Sequence, residues 1–361
     1  SFVLGGSSME IIHDPMQLNK YLESNIEISS KTPLLLDSYL GAAIEVDVDI
    51  ISDGEDCFVA GILEHIEEAG VHSGDSACSL PPHSLGKDII ERIKFQSSLL
   101  AKELDVIGLM NIQFAVKDSD IYILEVNPRA SRTIPFISKT TGIPLANLAA
   151  KLMIGLKLSD LSFHRKELNY VAVKEAVLPF DRLPGSDTVL TPEMRSTGEV
   201  MGIADNFEGA FFKSQISAGM QFPKSGTVFL SIRNEDKTKE MGDACKILEK
   251  IGFKIIATKG TKSFLDREGV DSTPVKKVYE GRPNISDLLK DKKIDIVMNT
   301  TEGKQSLEDS KDIRYLALNN KIPYYTTARG IIATIHSLKE NIGGKISVKP
   351  IQEYHSQLIT D

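Results

Sequence analysis

The chain has 361 residues, 41% of them hydrophobic and 25% charged, with a formal net charge of −8 at pH 7. That length suits two or three domains, and that balance suits a protein able to bury real cores. With no run of about 18 apolar residues and no long Lys/Arg block, neither a membrane nor a nucleic-acid partner is expected.

The chain opens Ser1-Phe2-Val3-Leu4-Gly5-Gly6, without methionine and already inside what reads as a strand and glycine loop. It is therefore expected to be a fragment, or the ordered or proteolysed part of a longer chain. No charged-then-apolar leader is present, so a cytoplasmic location is expected. The cysteines Cys57, Cys78 and Cys245 are far apart, without metal spacing, and read as reduced thiols. Residues 44–50 alternate strictly: Ile44, Val46, Val48 and Ile50 face one way, and Glu45, Asp47 and Asp49 the other. A partner strand is expected at 58–64, then a loop at 67–76, and an amphipathic helix at 86–104. Strands follow at 109–116 and 121–127, joined by the polar turn 117–120, and a helix at about 144–155.

Phe222-Pro223-Lys224-Ser225-Gly226 reads as a linker. Beyond it, strands at 227–232, 253–257, 294–298 and 322–326 alternate with helices at 238–251, 261–268, 309–319 and 329–340. That alternation predicts a parallel sheet flanked by helices.

Residues 123–129, I-L-E-V-N-P-R, are the most informative stretch. On an extended strand Ile123, Glu125 and Asn127 share one face, and Leu124 and Val126 turn toward a core. If the hairpin pairs residue 117 with 121, Gln113 comes opposite Glu125 on the same side. A one-residue slip would put it on the wrong face. In the favourable register Gln113, Glu125 and Asn127 form a cluster of hard oxygen donors suited to Mg²⁺ and a nucleotide phosphate. Arg129 can then reach a transferring phosphoryl group. The plain alternative is an exposed polar strand face.

E-V-N-P-R-A-S-R-T-I-P-F-I-S-K, together with E-H-I-E-E-A-G-V-H-S-G-D-S-A-C-S-L-P-P and G-L-M-N-I-Q-F-A-V, resembles the carbamoyl-phosphate synthetase large subunit in its second ATP-grasp half. E-M-R-S-T-G-E-V-M-G at 193–202 resembles the segment closing that half. The later region resembles that family's allosteric domain. The resemblance covers essentially the whole chain. It implies an α/β and α+β architecture: the C-terminal part of an ATP-grasp domain over 1–222, then a doubly wound parallel-sheet, methylglyoxal-synthase-like domain over 223–361. It also implies ATP and two divalent ions, Mg²⁺ or Mn²⁺, as cofactors, with K⁺ a further candidate. Gln113 and Glu125 would bind one ion, Glu125 and Asn127 the second, and Arg129 would lie beside the transferred phosphate. Gly5 and Gly6 resemble the glycine-rich lid over the ATP phosphates. Leu40, Glu45, Gly70, Val71, His72 and Ser73 match positions around the adenosine. Ser38 stands where some relatives place His.

The implied reaction is phosphoryl transfer from ATP to carbamate, itself made from bicarbonate and ammonia. The implied partners are a glutaminase small subunit that supplies the ammonia and the remainder of the large subunit, without which this chain is expected to be inactive. In the second region, hydroxyls, amides and lysines at the strand ends suit a phosphate. The resemblance implies an effector of UMP or IMP type at Thr258, Thr261, Lys277, Asn299 and Thr301, with either Lys237 or Lys239 as the remaining lysine. It also places an ornithine-type effector at Glu67, Asp75, Glu175 and Thr326. Another ATP-grasp ligase and a purely regulatory nucleotide-binding module are the alternatives. Methylglyoxal synthase activity is disfavoured, because 324–330 lack the His and Asp pairing such proton abstraction needs.

Overall fold

The alternating acids of 44–50 lie inside the protein, not on its surface. A computed structural model describes residues 9–23, 33–161, 163, 167–180, 189–301, 309–341, 344 and 346–356. Its first half is built on strands β1 (Ile44–Asp53), β2 (Cys57–Glu68), β3 (Cys78–Leu80), β4 (Ile107–Lys117), β5 (Asp120–Asn127), β6 (Val171–Val177) and β7 (Gly198–Ala204). They form an antiparallel sheet in the order β5-β4-β1-β2-β3-β6-β7. A short helix α1 (Pro15–Glu23) precedes it with no buried residue.

Both faces of the sheet are covered. On one, Val46, Val48 and Ile50 pack against helix α2 (Lys87–Glu103). This helix buries Ile89, Ile93, Ser97 and Ala101, a four-residue spacing that makes a narrow stripe. On the other, Ile51 and Leu63 meet α3 (Ile134–Thr141) and α4 (Leu145–Met153). Asp47 and Asp49 therefore sit beneath these helices, only 3% and 0% exposed. Helix α3, with a proline in its first turn, is an element the sequence reading lacked.

The β4–β5 hairpin differs from the expected one in a way that preserves the site. Lys117 pairs with Asp120, not with residue 121. Asp118 and Ser119 form a two-residue turn, both with positive φ (50° and 72°), as the right-handed strand twist favours. Continued without interruption, that register would set Gln113 opposite Leu124. A bulge between Gln113 and Phe114 takes up one residue, so Gln113 pairs with Glu125 and Asn111 with Asn127. The bulge also corrects the expected faces: Ile123 pairs with core-facing Phe114, opposite in sense to Glu125, and Leu124 is 47% exposed instead of buried.

Helix α5 (Phe207–Ser217) crosses β6 and β7, with the Asn206 side chain accepting the Gly209 amide at its start. At Gly202 on β7 an added Cβ would overlap the Ala210 carbonyl oxygen of α5. Gly202→Val is therefore expected to destabilise the protein by about 3 kcal/mol or more, since rigid backbone must move. Chemical denaturation monitored by circular dichroism measures this.

The second half is the expected doubly wound sheet. Strands β8 (Thr227–Ser231), β9 (Lys254–Thr258), β10 (Thr273–Val275), β11 (Ile296–Asn299) and β12 (Tyr324–Tyr325) are parallel, in the order β10-β9-β8-β11-β12. Helices α6 (Lys239–Lys250), α7 (Lys259–Glu268), α8 (Ile285–Lys290), α9 (Lys311–Asn319) and α10 (Ala328–Asn341) flank it. Met241, Leu248, Phe264, Ile331 and Ile335 fill one face, and Ile285, Leu289, Ile313 and Ala317 the other. The chain then returns to the first half. Helix α11 (Ile351–Ser356) buries Tyr354 edge-on against Tyr170, ring centroids 5.2 Å apart, and His355 Nε2 lies 2.7 Å from the Lys139 carbonyl.

Candidate functional site: an oxygen-rich strand face and a strand-end crevice

The pairing of β4 with β1 and β5 lines up two rows of polar side chains. Asp47, Gln113 and Glu125 form one row, and Asp49, Asn111 and Asn127 the other. Gln113 is half-buried and donates to Ser73 Oγ at 2.9 Å, so it is not turned into apolar core. Glu125 is exposed and accepts a hydrogen bond from the Asn127 amide. Arg129 follows, exposed, with its guanidinium on the Ala130 carbonyl at 3.1 Å. Behind this face, Asn111 donates to Asp49 Oδ1 at 3.1 Å, and the Thr133 hydroxyl donates to Asp49 Oδ2. Burial pushes the Asp49 carboxyl up to about 6, with Thr133 acting against the shift. Asp47 Oδ1 is buried without a hydrogen-bond partner.

Among the described residues no three His, Cys, Asp or Glu side chains gather as a metal cage. The donor set here is different: one carboxylate and two amide oxygens, with an unsatisfied carboxylate oxygen one strand away. Oxygen-only donors few in number fit a hard divalent ion that keeps water or phosphate among its ligands. Gln113, Glu125 and Asn127 would hold it.

The adenosine-side candidates surround the β2–β3 connection. Glu45 accepts the Gly70 amide at 3.1 Å and lies 3.4 Å from His65 Nδ1. Gly70 has φ +102°, and a Cβ there would press on Tyr39, whose hydroxyl donates to the Ala69 carbonyl. Leu40 packs on Ala43, Ala69 and Ala115. Val71 donates its amide to the Glu68 carbonyl, and His72 its own to Thr191. His72 Nδ1 accepts the Gly74 amide at 2.9 Å. Burial lowers the His72 pKa, partly offset by Asp75. Ser73 meets Gln113 as above. Gly5 and Gly6 lie outside the described residues.

Sequence reasoning missed the residue at the centre of this region. His65 is 1% exposed, and its Nε2 lies 3.1 Å from Asp47 Oδ2. Burial opposes a charge on His65, but Cys78, Asp47 and Glu45 outweigh it and hold the imidazole well above its usual value. Lys174, 1% exposed, donates to the Ser76 carbonyl at 2.9 Å. The available signal was polar residues within strands that pack on both faces. Asp47, His65 and Lys174 each interrupt such a strand.

Of the four residues assigned to an amine-bearing effector, Glu67 and Glu175 come together at the junction of the two halves. Glu67 is the penultimate residue of β2 and accepts the Ala77 amide at 2.6 Å; it is not a loop acid. Gln215 donates to Glu175 and accepts from the Tyr325 hydroxyl at 3.1 Å. Thr326 follows Tyr325. Burial, then the Glu67 charge, pushes Glu175 up to about 8. Both Asp75 oxygens accept backbone amides, from Arg195 at 2.7 Å and Ser196 at 2.8 Å, so Asp75 anchors that segment and is buried at 1% exposure, not solvated.

In the parallel sheet the strand order reverses at β8, and the candidate effector residues flank that point. Thr258 occupies the cap position of α7, yet its side chain makes no capping bond. It meets Thr261 Oγ1 at 3.2 Å. Asn299 donates to the Tyr324 hydroxyl at 3.1 Å, and Thr301 follows β11. Lys237 lies by Gly260 at the start of α7, and burial, then Arg267 and Lys277, lower its pKa. Lys239 instead points to Asp243 at 2.8 Å and Glu268 at 3.4 Å. Of the two lysines, Lys237 is thus the one turned toward the start of α7 and within electrostatic reach of Lys277.

Residues 1–161 match the family described as carbamoyl-phosphate synthase L chain, ATP binding domain, and residues 240–326 match the MGS-like domain. The molecule is thus an ATP-grasp unit joined to a methylglyoxal-synthase-like domain. A carbamoyl phosphate synthase large chain from Rhizobium meliloti (strain 1021) is 48% identical over 381 residues, covering 98% of this chain and 33% of that protein. One from Methanothermobacter thermautotrophicus is 51% identical over 359 residues, covering 98% and 34%, and one from Archaeoglobus fulgidus is 48% identical over 358 residues, covering 99% and 33%. The chain belongs to the carbamoyl-phosphate synthase large-chain family and spans about a third of the length of these curated relatives. No described helix is long and apolar enough to cross a membrane.

Proposed function

We propose that this chain carries the ATP-dependent phosphorylation of carbamate within a glutamine-hydrolysing carbamoyl-phosphate synthase, feeding pyrimidine and arginine biosynthesis. The observation that carries the reading is the bulge-corrected register that sets Gln113 opposite Glu125, with Asn127 one pleat on. A Mg²⁺ or Mn²⁺ pair at these oxygens would neutralise the ATP phosphates. Arg129 would meet the transferring group, and Glu45 and the 70–73 loop would orient the nucleoside. Catalysis of this kind is positioning and charge neutralisation, with no protein nucleophile. Ammonia would come from a glutaminase subunit, and the rest of the large subunit would complete the enzyme. Replacing Glu125 in the complete synthetase tests the assignment.

The crevice of Thr258, Thr261, Lys237, Lys277, Asn299 and Thr301 would take a nucleoside monophosphate of UMP or IMP type. Its lysines and helix-start amides suit a phosphate. Lys277→Ala is expected to weaken UMP and IMP binding roughly tenfold or more, as loss of a charge-assisted hydrogen bond does. Calorimetric titration measures this, and unchanged affinity for both would remove Lys277 from the site. Glu67, Glu175 and Thr326 would receive an amine-bearing effector such as ornithine.

A further inference from the structure

Strand β2 touches both halves of this chain. Three of its residues, at alternate positions, meet the effector half. Glu64 accepts from Arg329 at 2.6 Å, Ile66 shares an apolar cluster with Ala333, and Glu68 accepts from Arg233 at 3.0 Å. The residue between the first two faces the other way: His65 contacts Asp47 and Glu45 of the nucleotide side. Glu64 is fully buried and fixes the start of α2 as well, accepting the amides of His83, Ser84 and Leu85.

Each arginine is tied to the crevice by a short run of bonds. Just after β8, Ile232 donates its amide to Thr261 Oγ1 at 2.8 Å and Arg233 its own to Thr300 Oγ1 at 2.9 Å. Thr261 is a crevice residue, and Thr300 lies between Asn299 and Thr301. The Arg233 backbone is therefore strung between two effector loops while its side chain grips Glu68. On the other side, Asn299 donates to the Tyr324 hydroxyl, and β12 leads through Thr326 into α10, whose second residue is Arg329. Two connections thus leave one crevice and converge on one strand.

We propose that Arg233–Glu68 and Arg329–Glu64 are positioning contacts through which a nucleotide in the strand-end crevice shifts β2, and with it His65 and Asp47 behind the magnesium–nucleotide face. This rests on the functional reading given above and names the route of its regulation. A phosphate drawn between the 258–261 and 299–301 loops changes their spacing. The Ile232–Arg233 backbone, bonded to one loop through each residue, transmits that change to Glu68 through the Arg233 side chain. Coupling of this kind is reciprocal, so magnesium–nucleotide must alter effector affinity by the same factor. An intervening position alone does not establish a route; loss of coupling with both ligands still bound does.

The test uses the full 361-residue chain and Mg²⁺–ADP as probe, titrated calorimetrically alone, with saturating UMP, and with saturating IMP. In the parent, one effector is expected to change Mg²⁺–ADP affinity by roughly threefold or more. In Arg329→Gln/Glu68→Gln each ligand alone keeps its affinity within about twofold, while the coupling factor falls to near one. Coupling that persists in the double variant, or a parent that binds both ligands without coupling, overturns the proposal. If neither UMP nor IMP binds the parent, the effector reading fails on its own, and hydrogen exchange decides the route. Faster exchange at residues 64–68 and 72–76 in the double variant supports it; unchanged exchange there overturns it. Should the double variant not fold, Glu68→Gln alone must lower the coupling factor, and full coupling in it overturns the proposal.

Discussion

Glu125→Gln in the complete synthetase is expected to lower carbamoyl-phosphate formation from carbamate by roughly 10²–10³-fold in kcat, the scale of losing one preorganised group opposite developing charge. Glu125 supplies the only formal negative charge among Gln113, Glu125 and Asn127. The substitution keeps shape and hydrogen bonding but removes that charge, so an ion retained by two amides and a third would be held weakly. The side chain is exposed and bonded only to Asn127 among the described contacts. The melting temperature should therefore stay that of the parent, which separates loss of chemistry from loss of fold. A variant with near-parent kcat and only slightly weaker metal dependence would show that the ions sit elsewhere.

The second large effect is on stability against pH. Glu175 holds its proton up to about 8 in the folded protein, because it is buried beside Glu67. In an unfolded chain a glutamic acid titrates near 4.3. Its folded pKa is raised, so its contribution is complete below the unfolded value and is lost as pH rises through the folded one. Between pH 6 and 9 the protein is thus expected to lose on the order of 2 kcal/mol from this group. Glu67 is raised as well, so the two titrate as a pair. Glu175→Gln keeps a partner for Gln215 without an ionisable proton. It should flatten the loss between pH 6 and 9, read as melting temperature against pH. A variant with the parent's slope would place the titration elsewhere, as would a parent more stable at pH 9 than at pH 6.

Much of the architecture was legible because apolar periodicity and length mark it. The stripe of α2, the alternation of β1 and the strand–helix succession after residue 224 all depend on local spacing. What escaped did so for identifiable reasons. Strand β6, V-A-V-K-E-A-V, carries Lys174 and Glu175 at its centre, a charged pair that breaks the apolar pattern of a buried strand, yet both are at most 9% exposed. Helix α5 buries Gly209, Ala210, Phe211, Phe212, Ser214 and Gln215, more than one narrow stripe, so no helical face stands out. Strand β10 has three residues, too few for any period. Gln113, Glu125 and Asn127 were legible as a motif, but their convergence depends on a bulge that no residue type announces. Asp47 and His65 were invisible as partners because their contact joins two strands through packing on both faces of one sheet.

The return of α11 to the first half has an engineering consequence. The parallel-sheet region is fastened at its entrance, through Phe222 stacked 5.3 Å from Phe212, and again past its exit, through Tyr354 and His355. A chimera cut only at the entrance would bring a foreign tail to a seat shaped for Tyr354, with Gly142 leaving room for the His355 ring. Exchanging this region between related synthetases therefore calls for the seat around Tyr170, Gly142 and Lys139 to travel with it.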